Sequence, residues 1–399
     1  MKKDTTAIHT AYPRQDTYNA LSMPVYHSVA FEFDDADSMA DAFCGRTDMP
    51  DYSRVGNPTV THLEQKVQAL TGASAVTAFN SGMAAISAML FAVARAGGNI
   101  VSSRHLFGNT YSMLTSTLGR LGVEARLVDL TDPAAVEAAT DAQTCCIFLE
   151  IITNPQMEVA DVRRLGEIAR KAGCPLVADT TMIPFTEFNA STLGIDFEIV
   201  SSTKYLSGGA TSLGGLIIDY GHWPELTTRI KKEILFNLGA YMTPHAAYMQ
   251  TVGLETLGVR YRRQAATALE VAKALQHHPA VRKVNYLGLP DNPTHKLAGE
   301  LYGDTYGAML TIDLNDAEAC RRFINALKLV KRATNLFDNR TLAIHPASTI
   351  FGPFTPEQRA GMDVLDTTIR LSMGLEAPED IIADLSQALD ATEQPKSHE

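Results

Sequence analysis

Two hydrophobic periods share the 399-residue chain. From about residue 75 to residue 219, short apolar, β-prone runs recur. Between them lie stretches whose apolar positions return every three or four residues. The runs predict strands over 75–79, 100–103, 125–129, 145–150, 175–179, 197–200 and 216–219. Helices are predicted from Ser81-Gly82-Met83 to 95, over 110–121, over 133–140 and around Ile168. About seven strands separated by helices predict a mostly parallel, doubly wound sheet with helices on both faces.

The flanks follow other patterns. Residues 1–55 have weak periodicity and much polarity, with an apolar stretch over 23–33; they predict an N-terminal arm lying on another surface. Asp51-Tyr52-Ser53-Arg54-Val55-Gly56-Asn57-Pro58-Thr59 reads as a structured loop. Pro58 pre-sets a helix start, and Thr61-x-x-Glu64 has capping-box spacing. Leu63, Val67 and Leu70 give that helix one apolar face, and Gly72 ends it. A long helix is expected over 223–243 and a linking helix over 254–275. Apolar runs over 281–286, 308–314, 318–327 and 369–373 then predict a smaller α+β domain. The expected division is an arm over 1–55, a cofactor-binding domain over 56–250 and a C-terminal domain over 251–399.

Composition narrows the function classes. The chain is 45% hydrophobic and 20% charged, ample for a sizeable core. A net charge of −11 with no cationic stripe argues against nucleic acid and anionic membranes. No apolar run is long enough to span a bilayer, and the first thirty residues do not read as a signal peptide. The five cysteines, at 44, 145, 146, 174 and 320, form no C-x-x-C pair. They predict reduced thiols in a cytoplasm, and no metal site.

Chemistry concentrates at 197–209, FEIVSSTKYLSGG. A β-prone run delivers Lys204, with Ser201, Ser202 and Thr203 before it and Ser207-Gly208-Gly209 after. Hydroxyls donate to an anion, glycines let backbone approach, and a desolvated lysine becomes a neutral nucleophile. The combination suits a Schiff base to pyridoxal phosphate. An isolated S-T-K is more often a solvated lysine in a polar loop. Ser201-x-x-Lys204 also matches the S-x-x-K of penicillin-binding proteins, but the S-D-N and K-T-G that family needs are absent.

Other candidates stand at predicted strand ends, where open α/β sheets hold ligands. Ser81-Gly82-Met83 places amides at a helix start for a phosphate, or is an ordinary N-cap. Asp179 ends Leu176-Val177-Ala178 and suits a pyridine nitrogen, or starts a turn. Asn154-Pro155 offers an amide to the ring's phenolic oxygen, or a turn. Phe107, before Gly108, offers a flat stacking face, or a core ring.

Taken in order, these segments resemble the pyridoxal-phosphate-dependent enzymes of Cys/Met metabolism: cystathionine γ-synthases and lyases, methionine γ-lyases and O-acetylhomoserine sulfhydrylases. YSRVGNPT, NSGMAA, NP at 154–155, VADT, SSTKYLSGG, GLETLGVR, HPAST and RLSMGLE carry the resemblance, from about Tyr12 to about Leu385. It implies the type I aminotransferase fold and a homotetramer built as a dimer of dimers. It gives Lys204 the covalent attachment of pyridoxal 5'-phosphate and later proton shuttling, and sets Asp179 on the pyridine nitrogen. Ser201, Thr203 and the amides of Gly82 and Met83 would hold the phosphate, with Tyr52 and Arg54 reaching a partner subunit's phosphate. Arg370, with Asn335, would bind the substrate α-carboxylate, a task suited to a guanidinium.

The chain also departs from the family pattern. The usual stacking tyrosine is Phe107, and the cysteine typical of methionine γ-lyases two residues further on is Asn109. The asparagine after the ring aspartate is Thr180. Arg340 stands where cystathionine enzymes place a glutamate that reads a distal ammonium. The resulting expectation is a cytoplasmic sulfhydrylase, replacing the acyl group of O-acetyl-L-homoserine with sulfide or methanethiol. Two alternatives stand beside it: a γ-lyase of methionine or homocysteine, and a cofactor-binding protein without catalysis. The expected partners are a small amino acid and a small thiol or sulfide.

Overall fold

The computed structural model describes residues 1–12 and 18–393. Residues 13–17 of the expected arm and 394–399 of the expected C-terminal domain lie outside the described residues. Seven strands form a mixed sheet: β1 Ala75–Phe79, β2 Asn99–Ser103, β3 Glu124–Val128, β4 Thr144–Glu150, β5 Leu176–Asp179, β6 Phe197–Val200 and β7 Gly215–Asp219. Their order is β1-β7-β6-β5-β4-β2-β3. A second sheet, ordered β10-β11-β12-β9-β8, contains β8 Lys283–Asn285, β9 Met309–Asp313, β10 Lys331–Arg332, β11 Leu342–Ile344 and β12 Thr368–Ser372.

Two compact units divide the chain: Met1–Ala94 with Asp196–Thr256, and Arg95–Ile195 with Leu257–Glu399. In the first, β7 runs antiparallel to both β1 and β6. That is the departure from a parallel sheet. Only the short 3-10 turn Tyr205–Ser207, and no crossover helix, separates β6 from β7, and antiparallel neighbours need none. In the second unit, β2 is parallel to β3 and β4, and β4 to β5. β2, β6 and β7 are buried along their whole length, which is why they lack the strict apolar–polar alternation of a strand with one face in water.

Helix ends follow side-chain chemistry. The helix Pro58–Thr71 is capped by Asn57, whose side chain accepts from the Thr59 amide, and ends at Gly72 in the left-handed conformation. Thr61-x-x-Glu64 is therefore not a cap. Thr61 lies inside the helix, and Glu64 accepts from the Ala78 amide of β1 at 2.9 Å. The helical stretch beginning at Pro224 stops at Leu238, because Gly239 takes φ +69. The expected linking helix is two helices, Pro244–Glu255 and Leu257–Leu275, meeting at Thr256. No helix among the described residues is long and apolar enough to cross a membrane, and all five cysteines are free thiols.

The polar N-terminus also folds. Helix Lys3–His9 buries Ala7. Lys66, buried in the helix Pro58–Thr71, donates to the Ala7 carbonyl at 2.7 Å and pairs with Glu255 at 2.7 Å. His62, one turn earlier, is buried beside that cation and against the edge of Tyr12, at a ring separation of 5.5 Å. Burial first, and then the Lys66 charge, lowers its pKa to about 4. A group that resists protonation only when folded loses stability as pH falls. We expect the melting temperature to fall as pH drops from the ordinary histidine value of 6.5 toward 4. His62→Leu should flatten that acid limb in thermal melts; an unchanged limb would remove His62 from the account.

Candidate active site

In the first unit, the segment after β6 is built around backbone proximity. Ser81 caps the helix Gly82–Val93 by accepting from the Ala84 amide. The amides of Gly82 and Met83 begin that helix and have no intrahelical acceptor. A Cβ on Gly82 would stand 2.6 Å from the Ser201 hydroxyl, so helix start and strand end meet only because residue 82 is glycine. Lys204 follows, its amide donating to the Ser201 carbonyl at 3.0 Å.

Thr203 ties its own loop together. Its hydroxyl donates to the Gly214 carbonyl at 3.1 Å and accepts the Gly214 amide at 3.0 Å, closing the 203–214 loop. Gly253, from the GLETLG segment, seats helix Pro244–Glu255 against the turn after Lys204. A Cβ there would lie 1.9 Å from the Leu206 carbonyl. Tyr52 and Arg54 lie exposed, with the guanidinium 5.5 Å from the centre of the Tyr52 ring. Arg54 also donates to the Phe236 carbonyl at 2.6 Å.

In the second unit, parallel strands bring their carboxyl ends to one edge. Glu150 ends β4 and is the register partner of Asp179, which ends β5. Asp179 accepts from the Thr181 amide at 2.9 Å. The Phe107 amide donates to Glu150 at 2.6 Å, and the Asn154 amide donates to the same carboxylate. Burial first, and then the charge of Asp179, pushes the Glu150 carboxyl well above the usual range, against the pull of those two amides.

Arg370, on β12, is buried and forked. One arm donates to the Asn154 side chain at 3.2 Å and the other to the Asn335 carbonyl at 3.1 Å. Burial lowers its pKa below the ordinary arginine value. Phe107, Asn154, Asn335 and Arg370 thus join one network, with Asp179 at its edge. Arg340 stands apart, two-thirds exposed and paired with Asp338 at 3.1 Å, so its charge is partly answered on its own chain. Asn109 is exposed, and Tyr111 packs edge-on against Phe354.

These residues fit pyridoxal phosphate. The Gly82 approach leaves amides at a positive helix end beside a hydroxyl, a cradle for phosphate that a Cβ would fill. The lysine follows on the same strand end.

Fold and donor set define a pyridoxal-phosphate enzyme, and the comparisons with known proteins agree. The chain belongs to the Cys/Met metabolism PLP-dependent enzyme family, whose profile matches residues 4–390. It is 36% identical over 389 residues to the L-methionine gamma-lyase of Porphyromonas gingivalis, covering 97% of this chain and 96% of that one. It is 34% identical over 420 residues to O-acetyl-L-homoserine sulfhydrylase 1 of Thermus thermophilus, covering 98% and 100%. Among solved structures, one assigned as an O-acetylhomoserine (thiol)-lyase from Campylobacter jejuni superposes with a TM-score of 0.94 at 32% identity. That match covers 98% of this chain and 100% of the other, which carries an N'-pyridoxyl-lysine-5'-monophosphate. The cofactor of this chain is pyridoxal 5'-phosphate.

Glu150 is the residue that the sequence reading passed over. The signal was present: it ends an apolar run with a carboxylate, as Asp179 does, and shortly precedes Asn154-Pro155. Glu150→Ala leaves two backbone amides without their acceptor, at about 1–3 kcal/mol each. Glu150→Gln keeps an acceptor there. Urea denaturation should show the alanine variant at least about 2 kcal/mol less stable than the glutamine variant. Equal stability of the two would mean that the bridge contributes nothing.

Proposed function

We propose that the chain catalyses γ-replacement on O-acetyl-L-homoserine, with sulfide or methanethiol as nucleophile and homocysteine or methionine as product. Phe107 carries this reading. It offers a ring face but no hydroxyl, so it cannot pass a proton to a leaving group. Acetate departs as a stable anion, taking the electron pair of the γ-carbon–oxygen bond. The incoming thiol forms the carbon–sulfur bond and releases its proton. A thiolate leaving methionine needs a proton far more. The second reading, γ-elimination from methionine or homocysteine, draws support from the slightly higher identity to a methionine gamma-lyase, 36% against 34%.

The roles follow from the chemistry of each side chain. Pyridoxal phosphate, when bound, supplies an electron sink that acidifies the substrate's carbon-bound protons. Lys204 holds the cofactor and moves protons at its Nζ; Asp179 faces the pyridine nitrogen. Ser201, Thr203 and the amides of Gly82 and Met83 would hold the phosphate. Phe107 stacks on the ring, and Asn154 addresses its phenolic oxygen. Arg370, flanked by Asn335, takes the substrate carboxylate as a bidentate partner. Arg340, even answered by Asp338, disfavours a distal ammonium.

The assembly we propose is a homotetramer in a cytoplasm, with Tyr52 and Arg54 serving a neighbour's phosphate. Tyr18, Leu21 and Phe43, at 90%, 92% and 60% exposed in one chain, are large apolar side chains that a neighbouring subunit would cover. Lys204→Ala should abolish the visible absorption of the bound cofactor and turnover while the fold persists. Mixing it with Arg54→Ala protein after subunit exchange should restore activity in hybrid sites. Normal turnover in Lys204→Ala would overturn the lysine assignment, and proven exchange without rescue would confine each site to one chain.

Substrate choice is the sharper test. General acid help is typically worth ~10²–10⁴-fold. We expect kcat/KM for O-acetylhomoserine with sulfide to exceed that for methionine by roughly 10²-fold or more. Phe107→Tyr should raise methionine cleavage relatively more than acetate displacement. Methionine processed as well as the ester by the unmodified protein would overturn the sulfhydrylase reading in favour of the lyase.

A further inference from the structure

His105 lies two residues before Phe107 and is 6% exposed. Its Nδ1 is 3.2 Å from Glu158 and its Nε2 is 2.7 Å from Asp363. A neutral imidazole has one N–H and one lone pair. With a carboxylate on each nitrogen, a neutral ring would aim its lone pair at an anion. Either a carboxyl or the ring must take a proton, and the ring is the stronger base by roughly two pKa units. An imidazolium answers both carboxylates at once, Glu158 from Nδ1 and Asp363 from Nε2.

The three segments joined there matter to the site. The first runs from Ser103 at the end of β2, whose hydroxyl accepts the His105 amide at 2.9 Å, to Phe107. The second is the turn holding Asn154. It is closed by the Thr153 amide on the Glu158 carbonyl at 3.0 Å and by the Glu158 amide on the Thr153 hydroxyl at 2.9 Å. The third is Met362-Asp363, tied to the same turn by Gln156 donating to the Met362 carbonyl at 2.6 Å. The charged groups around the ring are Arg104, whose Nε is 3.3 Å from His105 Nε2 and whose guanidinium also stands 3.2 Å from Asp363, then Glu158, Asp363 and Asp129.

We propose that His105 is a positioning residue, an imidazolium latch that holds the Phe107 platform and the Asn154 turn in register for the cofactor ring. This rests on the roles given above to Phe107 and Asn154. Burial opposes the charge, but the hydrogen bonds to Glu158 and Asp363 outweigh it and raise the pKa of His105. A raised folded pKa gives stability that is complete below the ordinary histidine value and lost as pH rises through the folded one. The latch therefore releases on the alkaline side.

The test uses holoenzyme of the unmodified chain, His105→Gln, the half-exposed Asp363→Asn and Phe107→Ala, from about pH 6 to about pH 9. Melting temperature, circular dichroism of the bound cofactor, and kcat and KM are followed together. In the unmodified protein, melting temperature and cofactor dichroism should decline together on the alkaline side. His105→Gln should lose that pH-dependent component and raise KM roughly 3- to 30-fold, a typical range for residues acting through others. Asp363→Asn removes one anion from the ring and should shift the decline to lower pH, so the proposal stays testable if His105→Gln fails to fold. An unshifted decline in Asp363→Asn overturns it. Unmoved cofactor dichroism in His105→Gln, with altered dichroism in Phe107→Ala, defeats the latch alone. Unmoved dichroism in both defeats the platform reading and the latch with it.

Discussion

A backbone amide turned away from water needs an acceptor where it stands, and the Glu150 carboxyl is that acceptor for two amides of the second unit. Its position is set by parallel pairing, which brings the carboxyl ends of β2, β4 and β5 to one edge. Its partners are the amides of Phe107 and Asn154, from two separate connections. An amide left without its acceptor costs about 1–3 kcal/mol, so both connections are drawn to one point. From there, Asn154 reaches Arg370 on the other sheet of the same unit. One constraint at a strand end thus arranges a ring platform, an amide and a guanidinium.

The first unit uses a steric constraint instead. Its chemistry-bearing residues are held by backbone that comes closer than any side chain allows. The small residues of NSGMAA and GLETLG have that physical meaning: Gly82 admits Ser201, and Gly253 admits the Leu206 carbonyl. Each glycine costs about 1 kcal/mol in a helix relative to alanine. A clash at 1.9 Å would cost far more, so the helix tolerates the glycine and the turn after Lys204 stays fixed.

Periodicity exposed the positions of the first seven strands because buried strands are short, mostly apolar runs bounded by breakers. Signals of the same local kind placed Pro58 and Gly72 correctly. The misreadings are those where two local signals compete. Thr61-x-x-Glu64 has capping spacing, but Asn57, four residues before Thr61, is the cap, and Glu64 answers β1 instead. Helix Lys3–His9 was hidden because its anchor, Lys66, is distant in sequence and its own residues are polar. Short β10 and β11 carry too few residues to show a period. Glu158 and Asp363 reach His105 from 53 and 258 residues away, and no spacing rule connects positions so remote. At the site, residue type and order singled out Lys204 and Asp179, whereas the pairing of Thr203 with Gly214 joins positions 11 residues apart that no spacing rule connects.

The choice between replacement and elimination comes down to proton affinity. A carboxylate such as acetate binds its proton with a pKa near 4–5, and a thiolate with one near 8–9, so about four units separate the two leaving groups. That is roughly 5–6 kcal/mol of extra need for protonation at the departing sulfur. A positioned general acid supplies ~10²–10⁴-fold, or about 3–5 kcal/mol. The two magnitudes nearly cancel. A hydroxyl at the platform would bring a thioether close to parity with an acyl ester, and its absence leaves most of the difference standing. On the proposed reading, a phenylalanine at position 107 moves substrate preference without altering the ring-binding frame, because stacking needs a face and proton transfer needs an oxygen.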